Sequence, residues 1–152
     1  MPLPDPVRPE ATFTQGALLV VSHVHPGSVV TLMLMSSGSA ARAVIGQSSY
    51  SACKCAIEGW VRVAAEEIDQ ANRNAWVVAV RPGFVDTPST RALANEDPAL
   101  YPRALRLGAN IEKHAVSRAV GAKRIWDALP PPPKARVLSF DGDPLLGVQI
   151  VG

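Results

Sequence analysis

Two short apolar runs, separated by one long helical segment, constrain the fold of this chain more than any other feature. The runs are "SVVTLMLMSS" at 28–37 and "AWVVAV" at 75–80. Both are nearly continuous in hydrophobic residues, and the first is β-branched at its start. Runs of this kind suit strands covered on both faces, because a strand with one wet face alternates apolar and polar residues. Between them, from Ser48 to about Asn72, the spacing is helical: Ala52, Ala56, Gly59, Val63 and Ile68 fall near one face, with Ala64 and Trp60 beside it. Strands alternating with helices imply a parallel sheet.

The rest of the chain extends the alternation. Residues 11–24 read as a helix weakened by Gly16, and residues 111–129, "IEKHAVSRAVGAKRIWDAL", as an amphipathic helix ending before the proline run. "ARVLSF", 135–140, reads as a third strand and the tail after it as irregular. Residues 1–10, with Pro2, Pro4, Pro6 and Pro9, form an irregular lead, and residues 130–134 a rigid Pro-rich connector. Residues 88–109 are polar and small, broken by "DP" and "YP", and suit a mobile helical flap. The expectation is a single α/β domain over 1–152, a doubly wound parallel sheet with flanking helices.

Composition excludes several classes. At 47% hydrophobic and 18% charged residues, the 152-residue chain reads as globular. Its net charge of +2 is scattered, so nothing argues for nucleic acid or a membrane surface. The longest apolar runs fall far short of the roughly 18 residues of a membrane span. The start has prolines and acids where a signal peptide has a basic patch and an apolar run, which points to the cytoplasm. Cys53 and Cys55, two apart on a helix, do not face each other and read as small apolar positions in a reducing compartment. His23, His25 and His114 have no converging carboxylates or cysteines, so no metal is expected. Trp60, Trp76 and Trp126 read as core or interface residues, and Glu66 and Glu67 as a solvated face.

The chemistry concentrates near "GQSSYSACKCAIEGW", 46–60. Tyr50 and Lys54, at i and i+4, share a helix face. A free phenol, with a pKa of about 10, is a poor base at neutral pH. A nearby ammonium favours the phenolate, so such a pair can exchange a proton with an alcohol or carbonyl oxygen. Ser36 and Ser37 end the preceding strand, and ligands of parallel sheets bind at the carboxyl ends of strands. A serine hydroxyl there can stabilise charge developing on the reacting oxygen. A Tyr-x-x-x-Lys pair alone recurs by chance, and a half-buried packing tyrosine is the plainer explanation of one.

Here the pair stands within an ordered set: "LMSSG", then "YSACKCAIEG" with Tyr50 13 positions after Ser37, then "VVAVRPGFVDTP". This set resembles the short-chain dehydrogenase/reductase family, strongly over about residues 28–90 and more loosely to about 142. The resemblance implies a Rossmann-like fold and NAD or NADP as cofactor. It implies catalytic roles for Ser37, which polarises the substrate oxygen, for Tyr50 as acid or base, and for Lys54, which tunes Tyr50 and binds the nicotinamide ribose. Pro82, Gly83, Val85 and Thr87 would hold the nicotinamide, and 88–109 would cover a small alcohol or carbonyl substrate. It also implies a homodimer or homotetramer, with the small-residue stretch 52–64 compatible with a helix interface.

The family's glycine-rich turn, which seats a pyrophosphate at a helix end, has no counterpart. The eleven glycines include no G-x-G pair, and no asparagine precedes Asn72. The expectation is therefore an incomplete Rossmann-like domain resembling the family's C-terminal half. Two functions remain: an oxidoreductase, or an inactive remnant serving in oligomerisation or interaction.

Overall fold

The computed structural model describes residues 28–71, 74–129, 137–140 and 149–151. The expected lead, the 11–24 helix, His23, His25 and the proline connector lie outside these residues. The described chain runs β1 (Val30–Met35), a 3-10 turn (Gly38–Ala40), α1 (Ser48–Gln70), β2 (Ala75–Arg81), α2 (Pro88–Ala94), α3 (Ala104–His114), α4 (Arg118–Ala128), β3 (Val137–Ser139) and β4 (Gln149–Val151). Sheet order is β1-β2-β3-β4. β1, β2 and β3 are parallel, with Leu32 opposite Val77 and Ala79 opposite Val137.

The α/β expectation holds, an incomplete Rossmann-like sheet with helices. Two details differ. The tail expected to be irregular contributes β4, paired antiparallel to β3. The helix expected over 111–129 is two helices, split at Ala115–Ser117. Val116 is extended there and bridges Val85, with Val116 N–H donating to Phe84 O at 3.0 Å and Asp86 N–H to Val116 O at 2.9 Å. Ser117 then caps α4, accepting from Val120 N–H at 3.3 Å. A backbone pairing with a distant loop outweighed local helical spacing. The region read as one flap likewise folds as two helices, of which α3 runs on to His114.

The core lies between α1 and one sheet face, where Val61, Ala64, Ala65 and Ile68 pack on Ala75, Val77, Ala79 and Val137, flanked by Leu32 and Leu34. On the opposite face a smaller cluster joins Val78, Val80 and Leu138 to Ile125 of α4. Of the face read from spacing, Ile68 is buried, with Ala64 and the partly buried Trp60 beside it, but its other members are not. Ala52, Ala56 and Val63 are exposed, Val63 at 60%. Small residues recur at helical spacing on both sides of α1, so periodicity alone does not choose between them. Cys53 and Cys55 are exposed rather than packed, and Trp126 is 77% exposed. No described helix is long and apolar enough to cross a membrane.

Candidate active site

The carboxyl ends of β1 and β2 open onto a cavity of about 720 Å³. Ser37, Tyr50, Pro82, Gly83, Val85 and Thr87, six of the seven residues singled out from sequence, line it. They come from three segments: the end of β1, the first turn of α1 and the loop after β2.

Ser37 follows β1 in extended conformation, and its hydroxyl oxygen accepts from Ser39 N–H at 3.3 Å to cap the 3-10 turn. Tyr50 is half exposed, facing the cavity from the start of α1. Lys54, one turn on, is not part of the lining. Its Nζ donates to Met35 O at 2.8 Å and sits 5.4 Å from the centre of the Tyr50 ring. One ammonium thus ties the Tyr50 turn to the end of β1 and lies over the ring face, a favourable place for a cation.

After β2 the chain turns at Gly83, whose φ is +71°. A β-carbon there would stand 2.5 Å from Phe140 O, so only glycine fits. Thr87 caps α2 in a reciprocal box with Thr90: Thr87 Oγ1 accepts from Thr90 N–H at 3.2 Å, and Thr90 Oγ1 accepts from Thr87 N–H at 3.0 Å. The Thr87 hydroxyl proton can be offered to Thr90 Oγ1 at 3.1 Å or into the cavity. Arg91 donates to both Asp86 carboxylate oxygens at 2.6 and 2.7 Å, and these bonds hold the Asp86 carboxyl below its ordinary pKa.

Further residues shape the site. Tyr101, buried between α2 and α3, accepts a hydrogen bond from Gln47 Nε2 at 3.1 Å and faces Gly46, whose φ is +82°. That contact joins the expected flap to the loop leading into Tyr50. Beneath the cavity, Glu58 and Arg81 form a buried pair, Arg81 Nε to Oε1 and an Arg81 Nη to Oε2, both 2.7 Å. Ser36 Oγ donates to Glu58 Oε1 at 2.6 Å. Burial would raise the pKa of Glu58, but the hydrogen bonds from Arg81 and Ser36, with the charges of Arg81 and Arg62, outweigh it and hold the carboxyl below its ordinary value. Glu58 lies at i+8 from Tyr50, a legible clue once a helix is assumed. Its partners at 36 and 81 are not legible from spacing.

The family model described as short chain dehydrogenase matches residues 12–98, more than half of the chain. The chain belongs to this family. Two curated proteins are similar over shorter stretches, both named 3-oxoacyl-[acyl-carrier-protein] reductase FabG. The one from Pseudomonas aeruginosa is 34% identical over 76 residues, covering 50% of this chain and 30% of that protein. The one from Aquifex aeolicus is 38% identical over 64 residues, covering 42% and 25%. The chain therefore spans less than a third of the length of these curated relatives. A crystal structure of a short-chain dehydrogenase from Streptomyces avermitilis shares the fold, with a TM-score of 0.52 at 24% identity, over 76% of this chain and 43% of that one.

Proposed function

We propose that the cavity is the substrate and nicotinamide end of an NAD(P)-dependent oxidoreductase that interconverts an alcohol and a ketone or aldehyde. The observation carrying this reading is the convergence of Ser37, Tyr50 and Thr87 hydroxyls, with the Pro82–Gly83 turn, on one cavity in a member of this family. The residues present fit the nicotinamide and its ribose: the hydroxyl-bearing Ser37, Tyr50 and Thr87 in the lining, and Lys54 behind Tyr50. No G-x-G turn exists in the chain to seat a pyrophosphate, so that end of the cofactor has no such support among the described residues.

When bound, the nicotinamide supplies or accepts the hydride, with either NAD or NADP as its carrier. Ser37 Oγ donates to the substrate oxygen and stabilises the charge that develops on it. Tyr50 gives its phenol proton to that oxygen in reduction and takes one back in oxidation. Lys54, behind Tyr50, would bond the ribose hydroxyls. Pro82, Gly83 and Val85 would form the nicotinamide wall, and the Thr87 hydroxyl would take its carboxamide. α2 and the start of α3 cover the substrate. The names of the two curated relatives make a 3-oxoacyl thioester the first substrate to try.

The test is titration of the purified chain with NADH and NADPH, read by nicotinamide fluorescence beside a thermal shift. Binding with a preference between them supports the reading, and a folded chain that binds neither overturns it. In an active preparation, Tyr50→Phe removes turnover and leaves cofactor affinity nearly unchanged, whereas Lys54→Ala lowers both. Retained turnover in Tyr50→Phe refutes the assigned proton transfer.

A second reading has its own observation. Ala52, Ala56 and Val63 make an exposed small-residue strip on α1, and a β-carbon on Gly59 would meet nothing within 4 Å. Such a strip fits a helix of a second copy of this chain, in a homodimer or homotetramer or, without catalysis, in an oligomerisation piece. Sedimentation as a monomer at high concentration removes this reading.

A further inference from the structure

We infer that Glu58 is a positioning residue, which through Arg81 and Ser36 holds the Tyr50–Lys54 end of α1 at a set distance from the strand ends that carry Ser37 and the Pro82–Gly83 turn. This rests on the reading of the site given above, and deepens it.

Tyr50, Lys54 and Glu58 fall at i, i+4 and i+8, one stripe about 12 Å long on a helix rising about 1.5 Å per residue. Each of the last two reaches the sheet. Lys54 Nζ meets Met35 O at 2.8 Å, and Glu58 meets Ser36 Oγ at 2.6 Å and Arg81 at 2.7 Å. The residues gripped directly precede the working ones in the chain, Ser36 before Ser37 and Arg81 before Pro82. A single carboxylate therefore touches the helix, the end of β1 and the end of β2.

The backbone does not supply this link. Ser36 N–H donates to Val80 O at 2.7 Å and Phe140 N–H to Arg81 O at 2.9 Å, which join strand ends sideways to one another. Neither bond reaches α1. Residues 48–57 of α1 include none that is fully buried. Among the described residues, the Glu58 cluster joins Lys54, the partly buried Ile57 and the contact of Cys55 Sγ with Ala40 O at 3.3 Å in fixing this end of the helix.

The chemistry of the cluster also suits placement better than cohesion. Two charges taken from water recover their desolvation cost only with good geometry, and an apolar pair of similar volume often holds a fold as well. What the apolar pair lacks is direction. A guanidinium meeting both oxygens of a carboxylate fixes a plane as well as a separation.

The test replaces the pair by Glu58→Leu with Arg81→Met, which removes both charges of the pair together, in the full chain labelled with 3-fluorotyrosine. The chain has two tyrosines, and Tyr101→Phe assigns the fluorine lines. The expected result is a cooperative melt together with a Tyr50 line that shifts or splits. In an active preparation kcat falls about 10- to 100-fold, as displacement of a reacting group by about an ångström does, with a smaller change in KM. Where the double variant lacks a cooperative melt, Ser36→Ala, which removes one of the three bonds, is read in the same way. An unmoved Tyr50 line overturns the inference, as does an unchanged kcat beside an active wild type. A wild type without turnover defeats the oxidoreductase reading instead, and the fluorine line still decides the role of Glu58.

Discussion

The two halves of α1 do different work. From Val61 onward the helix is a core element, with Val61, Ala64, Ala65 and Ile68 against the sheet. From Ser48 to Ile57 it holds Tyr50 and Lys54 and buries no residue fully. Reactive groups need access to ligand, and access forgoes apolar burial, the main source of cohesion. The site end is therefore held out from an anchored end, with Glu58 at the junction. Site and scaffold share one helix here, and their tolerance of substitution differs within a few turns.

Removing one partner of the junction gives the largest effect. Arg81→Met alone leaves the Glu58 charge buried without its main partner and is expected to cost about 3–5 kcal/mol in chemical denaturation. A loss below about 1 kcal/mol erases the distinction between junction and surface. Val61→Ala, in the anchored half, is expected to cost about 1–3 kcal/mol through lost burial and the cavity left behind.

Acid probes the same junction. The Glu58 carboxyl titrates below its ordinary value of 4.5, so its stabilisation is complete above that value and fades as pH falls through the lower folded one. The melting temperature of the wild type should drop on that limb more steeply than that of the paired Glu58→Leu, Arg81→Met variant. Parallel curves would remove Glu58 from the acid response. Smallest of all is Tyr50→Phe, expected to change stability by less than about 0.5 kcal/mol because the ring is half exposed. A large loss there would make Tyr50 a packing residue and merge the two halves.

Much of this was legible in the chain itself, for identifiable reasons. The two strands at 28–37 and 75–80 were found because continuous burial leaves continuous hydrophobicity, and Ser37, Tyr50, Pro82, Gly83, Val85 and Thr87 do meet on one cavity. The core side of α1 is only partly legible: Ile68 and Ala64 are buried as expected, but Ala52, Ala56 and Val63, at the same period, are exposed, and Val61 and Ala65 are buried in their place. The 111–129 helix was read as continuous because the pairing of Val116 with Val85, which breaks it, spans 31 positions and leaves no local mark. β4 was missed because three residues are too few for a period to show.

By itself, then, the amino-acid order determined element types, their alternation and the residues with chemical capability, since these depend on local spacing and side-chain chemistry. Only the tertiary structure decided which face of α1 is buried, that Lys54 bonds the end of β1 instead of lining the cavity, and that Glu58, Arg81 and Ser36 meet beneath it. Those contacts join residues 19, 22 and 23 positions apart. The Glu58 contacts draw their strength from the low-dielectric interior that forms only once the helix lies on the sheet.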